Sequence, residues 1–563
     1  MRSHLALSRA PRVVAEKHRG HGAARARLIG AAHAVLTGTA GLLVWVALAA
    51  PESGTLTEPV LLLRVPVEAL VLGALLLCLP SAGRRWVRRW VLPPVGVILA
   101  VLLLVRVLDH VFRLVFFYRP FNLLSDWRYA SSGLELVRDA SGQTAAVLAA
   151  VAAGLVLVVL LIALPLALRR VAGLVERHRP LSARVLVALA AVWVVAAATG
   201  AAVVPGVPVA ASSTFATGAE QAGKAVHDIR DHSVFGSAIS VDAFSGADPS
   251  MLVGALRGKD VVVVFVESYG KVALDSPVVQ QALGSGATTL AAQGYSTRTA
   301  WLASPTFGGF SWLAHSSLQS GLWVDSQQRY DQLVTTNRLT LSRVLSRAGW
   351  RTVDVVPANM HDWPEGHDFY GYDQVWDERT LGYHGPAFGY APMPDEYTLA
   401  AFDRLELQPS PRRPVMAEID LVSSHFPWAP LPRLVDWSVV GDGTVFAPQP
   451  AQATPQSVVW RTTSGIRTAY AQTIAYSLGS VVAWLSHTRD DNLVVLMLGD
   501  HQPAAQVSGE GASHDVPVTL LTRDPSVTGR ITNWGWQDGL SPGAGAPVWP
   551  MDALRNRILT SFR

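Results

Sequence analysis

Cysteine and charge are both scarce in this sequence. The single cysteine, Cys78, lies within an apolar run, which excludes intrachain disulfides and cysteine-rich metal sites. Charged residues make up 16% of the chain, whereas a typical soluble domain has about 25%. Apolar residues make up 50%. We therefore expect part of the chain to lie in lipid.

The net charge of +4 does not indicate a nucleic-acid partner. The basic residues cluster beside apolar runs, which is typical of membrane topology. The first 27 residues form a basic tail, and the apolar run after it is long enough to cross a bilayer, which favours a membrane helix over a signal peptide. Runs of roughly 20 residues predict five spans, at Leu28–Ala50, Val60–Leu79, Val91–Val105, Thr144–Leu168 and Val185–Val204.

The distribution of arginine predicts how these spans are oriented. Arginines follow the second span, at residues 84 to 89, and the fourth span, at residues 169 to 184, whereas the loop after the first span has no lysine or arginine. Basic loops stay in the cytoplasm. We therefore expect a cytoplasmic amino terminus, a multi-pass domain over residues 28–205, and all later residues outside the cell.

Beyond the spans, the sequence divides into a linker and a folded domain. Residues 206–259 are rich in Ala, Ser, Gly and Asp and are interpreted as a stem with one short helix, Ala216–His232. From residue 260 to 563, apolar strands alternate with helical segments, which predicts an α/β domain with a mostly parallel sheet. The predicted strands are Val261–Val266, Thr352–Val356, Val415–Leu421, Leu493–Leu498 and Val516–Leu521.

Polar residues follow two of these strands and a turn-rich segment. Glu267 ends the run VVVVFVES, and Asp500 and His501 follow the strand that ends at Leu498. Thr306 lies in SPTFGG, directly before a helical segment. Ligands bind at the carboxyl ends of parallel strands. Two acids, a hydroxyl and an imidazole form an oxygen-and-nitrogen ligand set for a divalent metal.

The order and spacing of several motifs resemble the alkaline phosphatase and sulfatase superfamily, and within it the lipoteichoic acid synthase branch. The motifs are VFVES, SPTFGG, TLSRVLSRAGW, SSHFPW, AYAQTIAYSLGSVVAWL and VVLMLGDH. The resemblance implies five membrane helices followed by an extracellular catalytic domain. It also implies one divalent cation, manganese first and zinc or magnesium as alternatives, held by Glu267, Thr306, Asp500 and His501.

The resemblance further implies a role for several side chains. Thr306 is the implied nucleophile, with Ser268, Ser304 and Ser311 as fallback candidates. His425 and Trp363 match substrate-contacting positions, although Glu365 stands where the branch has an arginine, which leaves open whether His361 or His367 contacts the phosphate. His514 is either a ligand of a second metal or an ordinary loop histidine.

The implied function is a membrane-anchored, metal-dependent phosphotransferase or phosphodiesterase. We expect a lipid or lipid-linked phosphate donor of the glycerophosphate type, and an alcohol, glycan or water acceptor. The alternatives are a phosphoethanolamine-type transferase, a sulfate-ester hydrolase and an inactive polymer-binding anchor. Phosphoethanolamine-type transferases usually have disulfides in the stem, and the single cysteine argues against such disulfides here. The second is disfavoured because Ser304–Gly308 lacks the Cys/Ser-x-Pro/Ala-x-Arg motif.

Overall fold

The computed structural model describes residues 13–50, 62–115, 121–128, 130, 133–134, 137–138, 142–488 and 490–563. The chain divides into two compact units. The first comprises Met1–Val115 and Arg119–His227, and the second comprises Phe116–Tyr118 and Asp228–Arg563. The predicted stem holds a helix of 28 residues, Ser213–Ser240, which is longer than expected. Residues 1–12 of the predicted basic tail lie outside the described residues, and residues 13–27 belong to the helix Val13–Ala49.

The first unit is helical. Among the residues that the structure describes, four segments are long and apolar enough to cross a membrane: Leu28–Ala49, Ser81–Arg113, Gln143–Arg177 and Arg179–Thr199. They overlap the first, third, fourth and fifth predicted spans. The fifth ends earlier than predicted because Gly200 takes a left-handed conformation, with φ 67°, that caps the helix. The described helices of this unit include Val13–Ala49, Val67–Cys78, Ser81–Trp86, Leu92–Val115, Gln143–Arg177 and Arg179–Thr199, with a π-helical turn at Val87–Val91.

The second predicted span differs in length. Its described part forms a helix of 12 residues, Val67–Cys78, which is about 18 Å long against a hydrocarbon core of about 30 Å. Leu79 is extended, with ψ 146°, as expected of a residue before proline, here Pro80. Five full spans are therefore not confirmed. Short strand pairs occupy Val65–Pro66 with Ala210–Ala211 and Ala202–Val204 with Val207–Pro208.

Buried charges in the first unit bond to the backbone. Arg64 donates to the carbonyls of Ala49 and Pro208, at 3.1 and 3.2 Å. Glu68 accepts a hydrogen bond from the Phe215 N–H at 2.9 Å. Such bonds offset part of the cost of placing charge in an apolar region.

The second unit is built on a nine-stranded sheet. The strands are β1 Asp260–Val266, β2 Ser296–Ala303, β3 Arg351–Val356, β4 Gln374–Asp377, β5 Val415–Leu421, β6 Leu493–Gly499, β7 Asp515–Thr522, β8 Gln537–Asp538 and β9 Val548–Pro550. The order is β8-β2-β7-β6-β1-β5-β3-β4, and β9 pairs with β2. The five strands from β6 to β4 are parallel, which confirms a central, mostly parallel sheet.

All five predicted strands are present, but β7 runs antiparallel to its neighbours β6 and β2. A parallel return requires a crossover that is usually a long helix. The chain between β6 and β7 holds only the four-residue helix Ala505–Ser508. Strand β2, with the sequence STRTAWLA, was missed because its polar residues break the apolar pattern.

Helices surround this sheet. The longest described helix that lies wholly in this unit is Thr463–His487, which buries Trp484 completely. The others are Pro249–Leu252, Pro277–Ala292, Ser311–Ser320, Gln327–Val334, Leu341–Arg347, Asp395–Phe402, Gln449–Gln452, Gln456–Val459, Ala505–Ser508, Pro525–Gly529 and Ala553–Ser561, with π-helical turns at Gly366–Tyr370 and Asp403–Leu407. Strands β1 and β6 are buried along their whole length, as expected of parallel strands covered on both faces.

Candidate metal centre

The two central strands bring their terminal acids side by side. Strands β1 and β6 pair in parallel, with Val266 opposite Gly499, so Glu267 and Asp500 both follow at the same edge. A Cβ atom at Gly499 would lie 1.9 Å from the backbone carbonyl oxygen of Tyr269. Only glycine allows the two chain segments to approach this closely.

Glu267, Asp500 and His501 form a group that we call the edge cluster. One ligand atom from each residue lies within 4.8 Å of the others. The His501 Nε2 is 3.4 Å from the Glu267 Oε1 and 3.4 Å from the Asp500 Oδ2. For metal–ligand bonds of about 2.0 to 2.1 Å, tetrahedral ligand atoms lie about 3.3 Å apart. The spacing therefore fits a divalent cation.

Hydrogen bonds orient the lone pairs of this cluster. The His501 Nδ1–H donates to the Gln502 carbonyl at 2.8 Å, which leaves the Nε2 lone pair for a metal. The Asp500 Oδ1 accepts from the backbone N–H groups of Ser268 and His501, both at 2.7 Å. The other Asp500 oxygen, Oδ2, is the one that faces His501.

The two buried acids have displaced pKa values in opposite directions. Burial alone would raise the pKa of Glu267, but His501, and after it His425, hold that pKa at about 2. Burial and then the charge of Glu267 raise the pKa of Asp500 to about 6. Two adjacent carboxylates do not both ionise easily. Negative charge therefore concentrates where a cation would neutralise it.

Two hydroxyls contact the cluster directly. The Ser268 Oγ, from another fallback nucleophile, donates to the Glu267 Oε1 at 2.7 Å, and the second hydroxyl is that of Ser311. Its Oγ donates to the Glu267 Oε2 at 3.0 Å and lies 3.2 Å from the His501 Nε2. Ser311 is the first residue of the helix Ser311–Ser320. The sequence identified it only as a fallback nucleophile.

Thr306 is tied to the same edge through its neighbours. The Ser304 hydroxyl donates to the Asp500 carbonyl at 2.6 Å and accepts the Thr306 N–H at 3.2 Å. The Thr306 hydroxyl donates to the Gly309 carbonyl at 2.6 Å. Thr306 thus lies in a turn attached to the cluster, with its hydroxyl bonded inside the turn.

The turn between Thr306 and the helix depends on unusual backbone angles. Gly308 and Gly309 have φ 70° and 147°, and Phe310 has φ 66°. The Gly308 N–H donates to the Gln502 carbonyl at 2.9 Å, which joins this turn to the segment after His501. Strained positive-φ residues other than glycine gather at functional sites, and Phe310 and Ser268, with φ 56°, are both here.

His425 lies next to the cluster. Its Nδ1–H donates to the Phe426 carbonyl at 2.6 Å, so the Nε2 is left as an acceptor. Burial lowers its pKa, although the charge of Glu267 acts in the opposite direction. Its ring stacks on Tyr390 at 3.6 Å. Burial, followed by Glu267 and Asp420, raises the pKa of Tyr390 to about 12. Tyr390 was missed because it lies in a loop without a motif.

The structure gives Trp363 and His514 different surroundings. Trp363 packs on Tyr370, with ring centroids 5.3 Å apart, so its substrate contact stays a prediction. The His514 Nδ1–H donates to the Ser304 carbonyl at 3.0 Å. The His514 ring lies 5.4 Å from that of Phe307, the residue after Thr306. His514 therefore lies beside the Thr306 turn, and its role as a second-metal ligand also stays a prediction.

The other histidines near Glu365 also have defined places. The His367 Nδ1–H donates to the Tyr372 carbonyl at 2.8 Å, whereas His361 is exposed. Neither observation assigns a phosphate contact to these residues.

No protein-family model and no curated protein sequence matches the chain. It is similar to the solved structure of the lipoteichoic acid synthase LtaP from Listeria monocytogenes, with 16% identity over 57% of this chain and 76% of that one and a TM-score of 0.35. A protein in the alkaline phosphatase superfamily from Vibrio parahaemolyticus is similar at 14% identity, over 49% and 68% of the two chains, with a TM-score of 0.33.

The phosphoethanolamine transferase EptA from Neisseria meningitidis is similar over 93% of this chain and 95% of its own, at 13% identity and a TM-score of 0.40. These similar structures thus include a member of the superfamily and a member of the branch that the motifs resemble.

Proposed function

We propose that this protein is a membrane-anchored, metal-dependent phosphotransferase that acts on a lipid-linked phosphodiester of the glycerophosphate type. The observation that carries the proposal is the edge cluster, whose three ligand atoms are spaced and oriented for one divalent cation. The cation proposed first is Mn²⁺, with Zn²⁺ and Mg²⁺ as alternatives, because carboxylate, hydroxyl and imidazole ligands suit all three to different degrees.

Thr306 is the proposed nucleophile. When bound, the cation would act as a Lewis acid and favour an alkoxide at neutral pH. The Thr306 hydroxyl releases the Gly309 carbonyl, gives up its proton and attacks the phosphorus atom. The P–O bond to the lipid breaks, the lipid leaves as an alcohol that takes up a proton, and the glycerophosphoryl group stays on Thr306 as a phosphodiester. An acceptor alcohol or water then gives up a proton and attacks the same phosphorus atom, and the Thr306 oxygen leaves and regains a proton. The first N–H groups of the helix Ser311–Ser320 support binding of the phosphate anion.

His425 is proposed to hold the proton of the incoming acceptor. Its Nδ1–H is occupied by the Phe426 carbonyl, so the Nε2 is free to accept a proton from an alcohol. The lowered pKa keeps the imidazole neutral before this step. From the motif resemblance, Trp363 is a proposed substrate contact, and His514 is proposed either to bind a second metal or to contact the substrate.

Ser311 is a second candidate nucleophile. Its hydroxyl, rather than that of Thr306, bonds to Glu267 and lies near the His501 Nε2. The same reaction class follows with either residue. The position of the covalent phosphate distinguishes them.

The experiment is peptide mapping by mass spectrometry after incubation with Mn²⁺ and a phosphatidylglycerol-containing vesicle. We expect a phosphate or glycerophosphate adduct on Thr306 in the wild type and in Ser311→Ala. Thr306→Ala should carry no adduct and lose turnover, while Thr306→Ser keeps part of both. An adduct on Ser311 transfers the role to that residue, and full turnover in both alanine variants contradicts the proposal.

We also propose that the second unit lies outside the cell, with the amino terminus in the cytoplasm. The four long apolar helices support membrane anchoring, and the arginine-rich loops support the orientation. In a Cys78→Ser background, Ser513→Cys places one thiol beside His514 at an exposed position. A membrane-impermeant maleimide should label it in intact cells. Labelling only after cell disruption would place this unit in the cytoplasm.

A further inference from the structure

A second group of metal-ligating side chains lies on the face of the sheet. Glu418 and Asp420 are two residues apart on β5, so both point to the same face. Asp354 on β3 pairs directly with Glu418 and therefore lies on that face as well. Three carboxylates thus occupy neighbouring positions in a buried part of the sheet.

One imidazole covers these carboxylates. His315, on the helix Ser311–Ser320, stacks on Phe265 with ring centroids 3.8 Å apart and an angle of 11°. Phe265 is the β1 residue that pairs with Asp420. The stacking fixes the His315 ring in place above the β5 acids.

We call His315, Glu418 and Asp420 the strand-face cluster. One ligand atom of each lies within 4.8 Å of the others. The His315 Nδ1 is 3.0 Å from the Glu418 Oε1 and 3.5 Å from the Asp420 Oδ1. These distances bracket the tetrahedral spacing of about 3.3 Å, and they resemble those of the edge cluster.

The surroundings of Glu418 resemble the outer hydrogen bonds of a metal site. Its Oε2 accepts hydrogen bonds from the Gln319 amide and from the Tyr372 hydroxyl, the second at 3.1 Å. Its Oε1 is the atom left facing His315. Such outer partners orient carboxylate ligands.

Two carboxylate oxygen atoms in this region, one of them in the cluster itself, lack a hydrogen bond. The Asp420 Oδ1 and the Asp354 Oδ1 are buried, and neither has a hydrogen-bond partner among the described residues. The residue Asp354 is only 2% exposed. A buried acceptor without a donor is costly unless a cation or a proton satisfies it.

We infer that the strand-face cluster is a second site for a first-row divalent cation, bound by the His315 Nδ1, the Glu418 Oε1 and the Asp420 Oδ1. Two carboxylates and a neutral imidazole balance one dication, and a nitrogen with two oxygens is a ligand set that Zn²⁺ accepts. Without a cation, protons take its place. Burial alone lowers the pKa of His315, but Asp420 and Glu418 raise it to about 10.

The test counts and locates Zn²⁺ in the full-length chain, purified in detergent, stripped with a chelator and dialysed against Zn²⁺. We expect two equivalents by elemental analysis in the wild type and one in His315→Leu and in Asp420→Asn. Glu396→Gln is the matched control, because Glu396 is a buried acid outside both clusters, and it should keep two. Anomalous diffraction at the zinc edge from wild-type crystals locates the ions and does not depend on whether the variants fold.

The outcomes separate this inference from the proposed function. Zinc at both clusters supports both proposals. Zinc at the edge cluster alone overturns the second site and leaves the proposed function in place. Zinc at the strand-face cluster alone supports the second site and removes the basis of the proposed function.

Discussion

The edge cluster and the strand-face cluster use the same residue types in different parts of the same sheet. Glu267, Asp500 and His501 follow the ends of strands, where backbone N–H groups orient Asp500 and the Ser268 and Ser311 hydroxyls donate to Glu267. Glu418 and Asp420 lie within a strand, where the Gln319 amide and the Tyr372 hydroxyl orient Glu418. The first arrangement borders the Thr306 turn and the loop of His425. The second is covered by a helix. We therefore expect the first to govern catalysis and the second to govern stability and metal content.

The sharpest test of this division compares Asp500→Asn with Asp420→Asn. Asp500→Asn removes a charge from the edge cluster but keeps the side-chain shape, and we expect turnover of a lipid-linked phosphodiester to fall by about 10³-fold or more. Asp420→Asn removes no ligand of the edge cluster and should lower turnover by only about tenfold, the effect expected of a residue outside that cluster's own ligands. Steady-state rates in mixed vesicles at saturating Mn²⁺ measure both.

Equal losses in the two variants would mean that the clusters act as one catalytic unit. Thermal unfolding of both proteins is the control, because a variant that melts at the assay temperature reports stability and not catalysis. An Asp500→Asn protein that retains wild-type turnover would contradict the assignment of the edge cluster.

The next largest effect comes from Gly499→Ala, which disturbs only the edge cluster. The added Cβ would lie 1.9 Å from the Tyr269 carbonyl oxygen, and neither backbone has room to move without separating β1 from β6. We expect the free energy of unfolding to fall by about 3 kcal/mol, with one Zn²⁺ equivalent lost and the strand-face equivalent kept.

The control for this variant is Gly284→Ala in the helix Pro277–Ala292. Nothing lies within 4 Å of a Cβ atom at Gly284, so alanine should stabilise the helix by about 0.5 to 1 kcal/mol. Calorimetry in detergent measures both. An unchanged melting temperature in Gly499→Ala would show that the strand ends can separate freely.

A smaller effect is expected from Tyr372→Phe, which removes one of the two donors to the Glu418 Oε2. The affinity for the second cation should fall by about tenfold, and the free energy of unfolding by about 1 kcal/mol. Tyr383→Phe is the control, since the Tyr383 hydroxyl donates to the Pro386 carbonyl at 2.9 Å, away from both clusters. Competition with a fluorescent zinc chelator measures the affinities. Equal affinities in the two variants would remove Tyr372 from the metal site.

The two clusters also differ in how far the sequence revealed them. Glu267 is the first polar residue after one apolar run, and Asp500 and His501 follow another apolar run. The sequence alone therefore predicted that the three residues lie at one edge of the sheet. Glu418 and Asp420 instead interrupt the strand VMAEIDL. Only the pairing of β5 with β3 and β1 shows which residues face them, and such pairing is a long-range property. His315 is distant in sequence from Glu418 and Asp420, and it does not lie in a recognisable motif.

The same distinction holds for the fold. The membrane helices at Gln143–Arg177 and Arg179–Thr199 follow from long apolar composition, and the buried strands β1 and β6 follow from their valine and leucine runs. The direction of β7 depended on a short connection that carries little pattern. The hydroxyls that contact the edge cluster are those of Ser268 and Ser311, because the turn after Thr306 directs the Thr306 hydroxyl to Gly309. A sequence motif gives the residues of such a turn but not its dihedral angles.

The smallest predicted effect concerns Glu396, an acid buried outside both clusters. Its Oε2 accepts the Val435 N–H at 3.1 Å, and burial raises its pKa to about 7. The pKa of Glu396 is higher in the folded chain than in the unfolded chain. Glu396 therefore makes its full contribution to the free energy of unfolding below about pH 4.5, and this contribution is lost as the pH rises through 7. Between pH 6 and 7 we expect a decrease of about 1 kcal/mol in the free energy of unfolding, which Glu396→Gln should abolish. Melting curves with a chelator present measure this change, and Glu510→Gln, at an exposed position, should leave it intact. We expect added Zn²⁺ to leave this pH dependence of stability unchanged, because a proton and not a cation neutralises Glu396. A pH dependence that changes when Zn²⁺ is added would place Glu396 among the metal-binding acids and contradict its separation from the two clusters.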